Sequence, residues 1–421
     1  MDYITIEIEK NEGRLLNIGE MYEVLKQVQD NRNEKGKRYT VGILLVVFVL
    51  AKLCGENTPY GMAEWTKMRA AELQNLFGYH RLVKPSNKTL QRLTDTTLED
   101  SALQKTIRHY LHERYGGQQS ILVTIDGKTL RGTIPKGKTR GVHLLAAYLP
   151  EEGVVLLQIE VPQKENEIVA APVLLRELDL KGRVVSGDAM FTQREISVAV
   201  LARGGDYLWF VKDNQKTLHE DVQRFFQEVD HASGWHVPPL PLAVAEKTSK
   251  QSGRLETRRL TAIPDTNNYL NWPGSNTVFK LERHVFQPAK GEEWSQVVFG
   301  ITSLSFTPTL AQQLLTWTRQ HWAIENKLHY RRDVTLREDA TRMKQKHQAQ
   351  VVATLNNFVV ALATYLGFSN LASARRFFRH DLMPSFSPWC RYFGKSLRQN
   401  NAENGKARRK VLIGKTGQQV T

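Results

Sequence analysis

ILVTIDGKTLRGT (Ile121–Thr133) opens with a short apolar, β-leaning run that closes on an acid, Asp126. RVVSGDA (Arg183–Ala189) repeats the pattern and closes on Asp188. Between them, Val142–Tyr148 and Val154–Val161 are apolar runs joined by the turn residues of Pro150–Gly153. Asn166–Leu178 reads as a helix that Pro172 starts or kinks, because proline lacks the N–H that an interior position donates. Gln193–Arg203 reads as a further helix and Asp206–Val211 as a strand. The order is three strands, helix, strand, helix, strand, which implies a mixed sheet with helices packed on it. In open sheets of this kind ligands gather at the carboxyl ends of strands. Two strand-end aspartates on neighbouring strands are therefore expected close together. Gly127 and Ala189 follow them and leave room for a ligand.

Residues 1–115 read as mostly helical. Asn17–Val28 has apolar side chains at helical spacing, Thr40 can cap the apolar Val41–Leu53, and Met62–Phe77 is a further helical stretch. KPSNKTLQRL (Lys84–Leu93) puts a Ser or Asn cap before a basic amphipathic segment. This region is either a helix-turn-helix-like DNA reader or a small helical bundle covering its neighbour. The character changes at Gly116-Gly117, which opens an α/β region over 116–345. Within it, about 217–295 loosens into prolines, Gly253 and short runs such as Val278–Leu281, and is expected to be a β-rich insertion. Val297–Thr302 reads as another strand, Thr307-Pro308 as the start of a helix reaching about Arg331, and Gln345–Leu366 as a second long helix. Residues 346–421 are expected to be a helical C-terminal region. It ends in a basic tail with Arg391, Lys395, Arg398, Lys406, Arg408, Arg409, Lys410 and Lys415 against Glu403. Such a tail is a disordered arm or a phosphate-binding appendage.

The 421-residue length suggests two or three domains at about 150 residues each. Hydrophobic residues at 41% exclude wholesale disorder. Lys plus Arg is 58 against 43 Asp plus Glu, and this net +15 points to a polyanionic partner, nucleic acid before an anionic membrane. Cys54 and Cys390 cannot build a disulfide framework or close a zinc site alone, which suits a reducing cytoplasm. The opening MDYITIEIEKNEG lacks the basic-then-apolar order of a secretory signal. Val41–Leu53 falls short of the ~20 residues a bilayer requires. The expectation is a soluble cytoplasmic protein, nucleoid-associated when bound to DNA.

A third acid lies on the helix expected after Pro308. Leu314, Trp317, His321, Ile324 and Leu328 form a core stripe, and Trp322, Glu325, His329 and Arg332 a second stripe beside it. Glu325 stands among Arg319, Arg331 and Arg332, as Asp126 stands among Lys128, Arg131, Lys136, Lys138 and Arg140. A lone aspartate at a strand end is commonly a turn former. The joint pattern, acids at the centre and bases around them, is what metal-dependent phosphodiester chemistry requires. Its hard oxygen donors suit Mg²⁺ or Mn²⁺.

IDGKTLRGT (Ile125–Thr133), GDAMFTQ (Gly187–Gln193), YLWFVKDNQ (Tyr207–Gln215) and HWAIENKLHYRRDVTLREDATR (His321–Arg342), in this order, resemble the ISAs family of bacterial insertion-sequence transposases. These are the H-repeat-associated DDE transposases. The resemblance covers nearly the whole chain, since residues 1–115 also look like that family's transposase-associated domain. It implies a ribonuclease H-like catalytic core and a metal-binding catalytic triad of Asp126, Asp188 and Glu325. It further implies two Mg²⁺ ions with Mn²⁺ able to substitute, double-stranded DNA as partner, and a homodimer or larger assembly on that DNA. In the wider clan a Tyr, an Arg and a Lys or Arg accompany the glutamate. Here Thr318 and His321 depart from that pattern and Arg332 keeps it. Lys128, Arg131, Lys212, Asn214, Gln215, Arg319, Trp322, Arg331 and Arg332 are expected on the DNA, with His329 and Asp333 supporting the metal ligands. The alternatives are a ribonuclease H-fold nuclease that cuts without joining, and an inactivated transposase retained as a DNA-binding repressor.

Overall fold

The protein is represented by a computed structural model that describes residues 3–7, 14–115, 120–162, 166–231, 241–251, 253–386 and 411–414. Strand β1 (Tyr3–Glu7) pairs antiparallel with β2 (Leu15–Asn17) and with Val411–Gly414. Asn17 caps α1 (Ile18–Leu25), and Thr40 caps α2 (Val41–Leu53) by accepting from the Ile43 N–H. All of α2 is buried, so its lack of a polar face reflects a position at the centre of the helical region. Helices α3 (Pro59–Met68), α4 (Ala70–Phe77), α5 (Asn87–Arg92, capped by Ser86) and α6 (Asp100–Arg114) follow. The expected single stretch from Met62 to Phe77 is broken at Arg69. Among the described residues no helix is long and apolar enough to cross a membrane.

The α/β region follows the predicted order. Strands β3 (Leu122–Leu130), β4 (Val142–Leu149) and β5 (Val154–Glu160) form an antiparallel meander. After α7 (Glu167–Arg176), β6 (Val184–Gly187) lies parallel to β3; after α8 (Arg194–Leu201), β7 (Asp206–Val211) lies parallel to β6. Two local expectations need correction. Strand β3 does not end at Asp126 but runs on to Leu130, because Gly127–Leu130 keep pairing with Val142–Leu145. Pro172 sits inside α7, which is fixed by the Asn166 cap and by burial of Ala170, Ala171, Leu174 and Leu175; only one backbone bond is forfeited.

The expected insertion at 217–295 is also different in kind. It begins with a helix, α9 (Lys216–His231), and its strands do not form a separate sheet. Strands β8 (Ala243–Gln251), β9 (Arg254–Pro264), β10 (Thr277–Gln287) and β11 (Glu292–Thr302) form an antiparallel meander whose last strand pairs with β7. The result is one nine-stranded sheet, ordered β5-β4-β3-β6-β7-β11-β10-β9-β8. The apolar runs Val278–Leu281 and Val297–Thr302 are the inner portions of β10 and β11. The first half of β11 is exposed and carries no alternation, so it reads as loop.

Helix α10 (Leu310–His321) starts later than Thr307 and stops before Arg331. The chain continues through two π-helical segments, Ile324–His329 and Arg331–Thr335, before α11 (Lys346–Tyr365) and α12 (Leu371–Phe386). All five residues of the expected core stripe, Leu314, Trp317, His321, Ile324 and Leu328, are buried. Helix α11 is buried along most of its length, against α6, β5 and α2. Gly116-Gly117, Cys390 and the basic residues of the tail lie outside the described residues.

The seam between β7 and β11 depends on Gly300, where a Cβ would overlap the Phe279 ring and the Trp209 carbonyl oxygen. The carbonyl is backbone in a paired strand and has little freedom to move. Gly300→Ala should therefore lower the unfolding free energy by about 1–3 kcal/mol, measured by urea denaturation. An unchanged midpoint would show that the seam is looser than this packing implies.

Candidate active site

Parallel pairing of β3 with β6 sets Ile125 opposite Gly187, so the next residue on each strand is an aspartate. Asp126 and Asp188 are thereby seated side by side. Asp126 is largely buried, and its carboxyl is pushed up to about 7 by burial first, then by the charges of Asp188, Glu167 and Glu325. Asp188 goes the other way. Its carboxyl is held below the usual range chiefly by a hydrogen bond from His321, against the opposing effect of burial, with Lys212 adding to the depression. Two adjacent carboxyls pushed in opposite directions form the kind of pair around which acid–base and metal chemistry is organised.

The segment after α10 supplies the remaining groups. His321 Nε2 lies 3.3 Å from Asp188 Oδ1, and its Nδ1 lies 2.9 Å from Ser186 Oγ. With Nε2–H donating to the aspartate, Nδ1 accepts from the serine hydroxyl, which fixes both tautomer and ring. His329 Nδ1 is 3.9 Å from Asp126 Oδ2, and burial together with Arg332 and Lys128 holds its imidazole well below the usual range. Glu325 sits between the two histidines, exposed, on the first π-helical segment. Such segments add a residue to the turn and are frequent at functional sites. They also disperse the expected second stripe: Trp322 and Glu325 are exposed, His329 is half-buried and Arg332 is buried.

The residues expected on DNA lie in different surroundings. Arg131, Lys212, Arg319 and Trp322 present exposed side chains. Asn214 is exposed too, but its amide donates to the Ala189 carbonyl, while the Gln215 amide donates to the Thr192 carbonyl and the Gln193 side chain. Both brace the loop after Asp188. Three expectations need correction. Lys128 is buried, and its ammonium is held by Asp333 at 2.6 and 2.7 Å. Asp333 thus neutralises a lysine. Arg331 is buried, donating to Thr364 Oγ1 and the Ser369 carbonyl. Arg332, 1% exposed, is paired with Glu338 and donates to Asn357. Neither guanidinium is presented to a phosphate; the stripe that set Arg332 beside Glu325 was counted at 3.6 residues per turn, and the segment there is π-helical. In their place, Arg131 and Lys136 face Arg342 across a groove of about 420 Å³ beside β3.

Glu167 was not singled out from the sequence. It reads there as an ordinary acid in the first turn of a helix, yet the fold turns it inward toward Gly127, and its charge reaches Asp126. Ser186 and His143 were missed for the same reason: nothing in their spacing marks them.

Residues 117–362 match the family described as Transposase DDE domain, and residues 22–111 match the one described as DDE_Tnp_1-associated. The chain belongs to the DDE transposases. Its mixed sheet is the ribonuclease H-like core of that family, and its activity is that of a transposase enzyme. "H repeat-associated putative transposase YhhI" of Escherichia coli K12 is 29% identical over 287 residues, 66% of this chain and 73% of that protein. "Putative transposase YncI" of Escherichia coli O157:H7 is 26% identical over 356 residues, 82% of this chain and 88% of that protein. A solved piggyBac transposase synaptic complex with hairpin DNA aligns over 91% of this chain and 84% of its own, at 11% identity and a TM-score of 0.40.

DDE chemistry generally uses a divalent metal, and the donor set suits one: hard carboxylate oxygens, with Asp126 destabilised by the acids around it. Among the described residues no three His, Cys, Asp or Glu side chains already form a group that could hold an ion.

Two predictions come from this geometry. Folded Asp126 keeps its proton to about pH 7, whereas an unfolded aspartate loses it near 3.9. Between those values the folded state binds more protons, so stability from this group falls as pH rises and the cost is complete above pH 7. In chelator, Asp126→Asn should exceed wild type in unfolding free energy at pH 8, by up to about 4 kcal/mol, and match it near pH 4. Equal stability at both pH values would contradict the strained carboxyl. Separately, Arg332→Ala should cost about 3–5 kcal/mol of stability by leaving Glu338 buried and unpaired. A variant that unfolds like wild type but binds DNA poorly would restore Arg332 to the DNA.

Proposed function

We propose that this transposase cleaves DNA at the ends of its own insertion sequence and joins the freed ends to target DNA, with Asp126, Asp188 and Glu325 as the catalytic acids. The observation that carries the reading is the strand register that seats Asp126 beside Asp188, with Glu325 close enough to raise the Asp126 carboxyl. Asp126, Asp188 and Glu325 would hold two divalent ions, Mg²⁺ or in its place Mn²⁺, which supply Lewis acidity for the attacking and leaving oxygens of the phosphodiester. His321 keeps the Asp188 carboxylate ionised and aimed, with Ser186 fixing the imidazole. His329, kept neutral, stands beside Asp126 without adding a positive charge that would oppose a cation. Exchange of one phosphodiester for another needs no nucleotide cofactor.

The substrate is double-stranded DNA. Arg131, Lys212 and Arg319 are exposed, Lys212 near enough to Asp188 to help lower its carboxyl, and Arg131, Lys136 and Arg342 line a groove beside β3. Trp322, 41% exposed and edge-on to His321, offers a face on which a base can stack. Joining two ends in one reaction calls for at least two copies of the chain on the DNA. The compartment consistent with this work is the bacterial cytoplasm.

The test uses a labelled duplex carrying the element's ends, incubated with the protein in Mg²⁺, Mn²⁺ or chelator. Metal-dependent nicking at the ends followed by joined products is the expected outcome, and Asp188→Ala should abolish both while end binding stays within about twofold. Cleavage by Asp188→Ala at the wild-type rate would remove Asp188 from the site. Cutting without joining would make the protein a nuclease, and wild-type binding with no cleavage in any metal would make it a repressor.

A further inference from the structure

An acid at the first position of a helix ordinarily faces solvent, where it offsets the positive end of the helix dipole. Glu167 opens α7, yet its side chain is only 16% exposed. Three features hold it inward. Oε1 lies 2.8 Å from His143 Nε2, and His143 Nδ1 lies 2.8 Å from Thr129 Oγ1, its directly opposed residue in the β3–β4 pair. Gly127, the residue after Asp126, gives the carboxyl its space: a Cβ there would overlap all three carboxyl atoms. Oε2 is buried and has no hydrogen-bond partner among the described residues.

A purely structural role does not account for this arrangement. One neutral acceptor would satisfy His143, and the second oxygen gains nothing from its burial. The place is also unusual, because Gly127, on which the carboxyl packs, directly follows Asp126, already beside Asp188. Buried polar atoms without partners are uncommon and need an explanation such as strain, a bound water or a bound ion. Glu152 Oε2 and Asp265 Oδ2 share the condition, and what sets Glu167 apart is this packing on Gly127, directly after Asp126. The group that fits an unpaired carboxylate oxygen among other carboxylates is a cation with a preference for oxygen.

We propose that Glu167 is a fourth carboxylate of the centre around Asp126 and Asp188 and takes part in holding its divalent cation, an inference that rests on the reading of that centre given above. Gly127 is then required by a side chain from another element as well as by the strand. His143 and Thr129 are positioning residues that set the angle of the Glu167 carboxyl.

The experiment is Mn²⁺ binding to the full-length, DNA-free protein, followed by electron paramagnetic resonance, with thermal unfolding in chelator alongside. Glu167→Gln preserves an oxygen for His143 and removes only the charge. It should weaken Mn²⁺ binding about tenfold or more, while unfolding in chelator at or above the wild-type temperature. Gly127→Ala, which displaces the carboxyl, should weaken Mn²⁺ binding similarly. Wild-type Mn²⁺ affinity in Glu167→Gln, with affinity lost in Asp126→Asn, would overturn the role of Glu167 and leave the centre standing. Wild-type affinity in Asp126→Asn and Asp188→Asn as well would overturn the centre itself, and this inference with it. A marked fall in the unfolding temperature of Glu167→Gln in chelator would assign the residue to structure instead.

Discussion

The parallel pairing of β3 and β6 governs the rest of this structure. A register that sets Ile125 opposite Gly187 brings two aspartates together at the edge of the apolar layer. Like charges this close do not favour folding, and the neighbouring elements bear the marks of accommodating them. Asp188 is relieved by His321, which is itself locked by Ser186 on the strand it faces. Among the described residues the Asp126 carboxyl has the Gly127 N–H but no side-chain donor like His321: His329 stands 3.9 Å away and is held neutral, so the carboxyl yields by taking up a proton. The asymmetry between the two acids is thus set by which of them the helix after β11 reaches with a donor.

That segment can be placed only because the residues around it are anchored. Arg332 and Glu338 pair in the interior, Asn357 accepts from Arg332, Asn356 donates to Glu338, and Asn357 in turn donates to Gln158 on β5. Gln158 also bonds Thr354, which donates to Asp100 at the start of α6. A connected polar path therefore runs from the π-helical segments through α11 to the sheet and the N-terminal helices. Every link is a directional contact, so sliding the segment by one residue would strand several buried groups at once. This is the physical reason that Arg332 faces inward although its charge suggests a phosphate partner; Arg331 is held separately, by Thr364 and the Ser369 carbonyl.

How much of this was legible in the sequence depended on what each residue's signal was made of. The order of β3 to β7 and the meeting of Asp126 with Asp188 on neighbouring strands were readable, because apolar runs bounded by turn residues report burial directly. The core stripe of α10 was readable for the same reason. The end of β3, the unity of the nine-stranded sheet and the outer half of β11 were not, since they rest on pairing between distant segments and on exposed residues that carry no alternation. Lys128, Arg331 and Arg332 misled because a charge reveals its partner only in three dimensions; each found an interior acid or hydroxyl. Glu167 was hidden by the opposite effect, a residue type ordinary for its position on the helix and made unusual only by the missing Cβ of Gly127.

These facts bear on where such a fold spends its stability. An apolar interior built on α2, α11 and the sheet, almost wholly buried, leaves a margin large enough to tolerate local cost. Part of that cost lies around Asp126, where a carboxyl is kept from water and beside other carboxylates, and at Glu167, one of whose oxygens is unpaired among the described residues. Some interior charges are paired, Arg332 with Glu338 and Lys128 with Asp333, whereas burial without an ion pair among the described residues lowers the Lys52 ammonium to about 7. The mutual repulsion of Asp126, Asp188 and their acidic neighbours is strain of a kind that a bound cation would remove. The uncompensated charge is therefore better understood as part of the ligand's binding energy, held in the folded chain until the ligand arrives, than as a defect of packing.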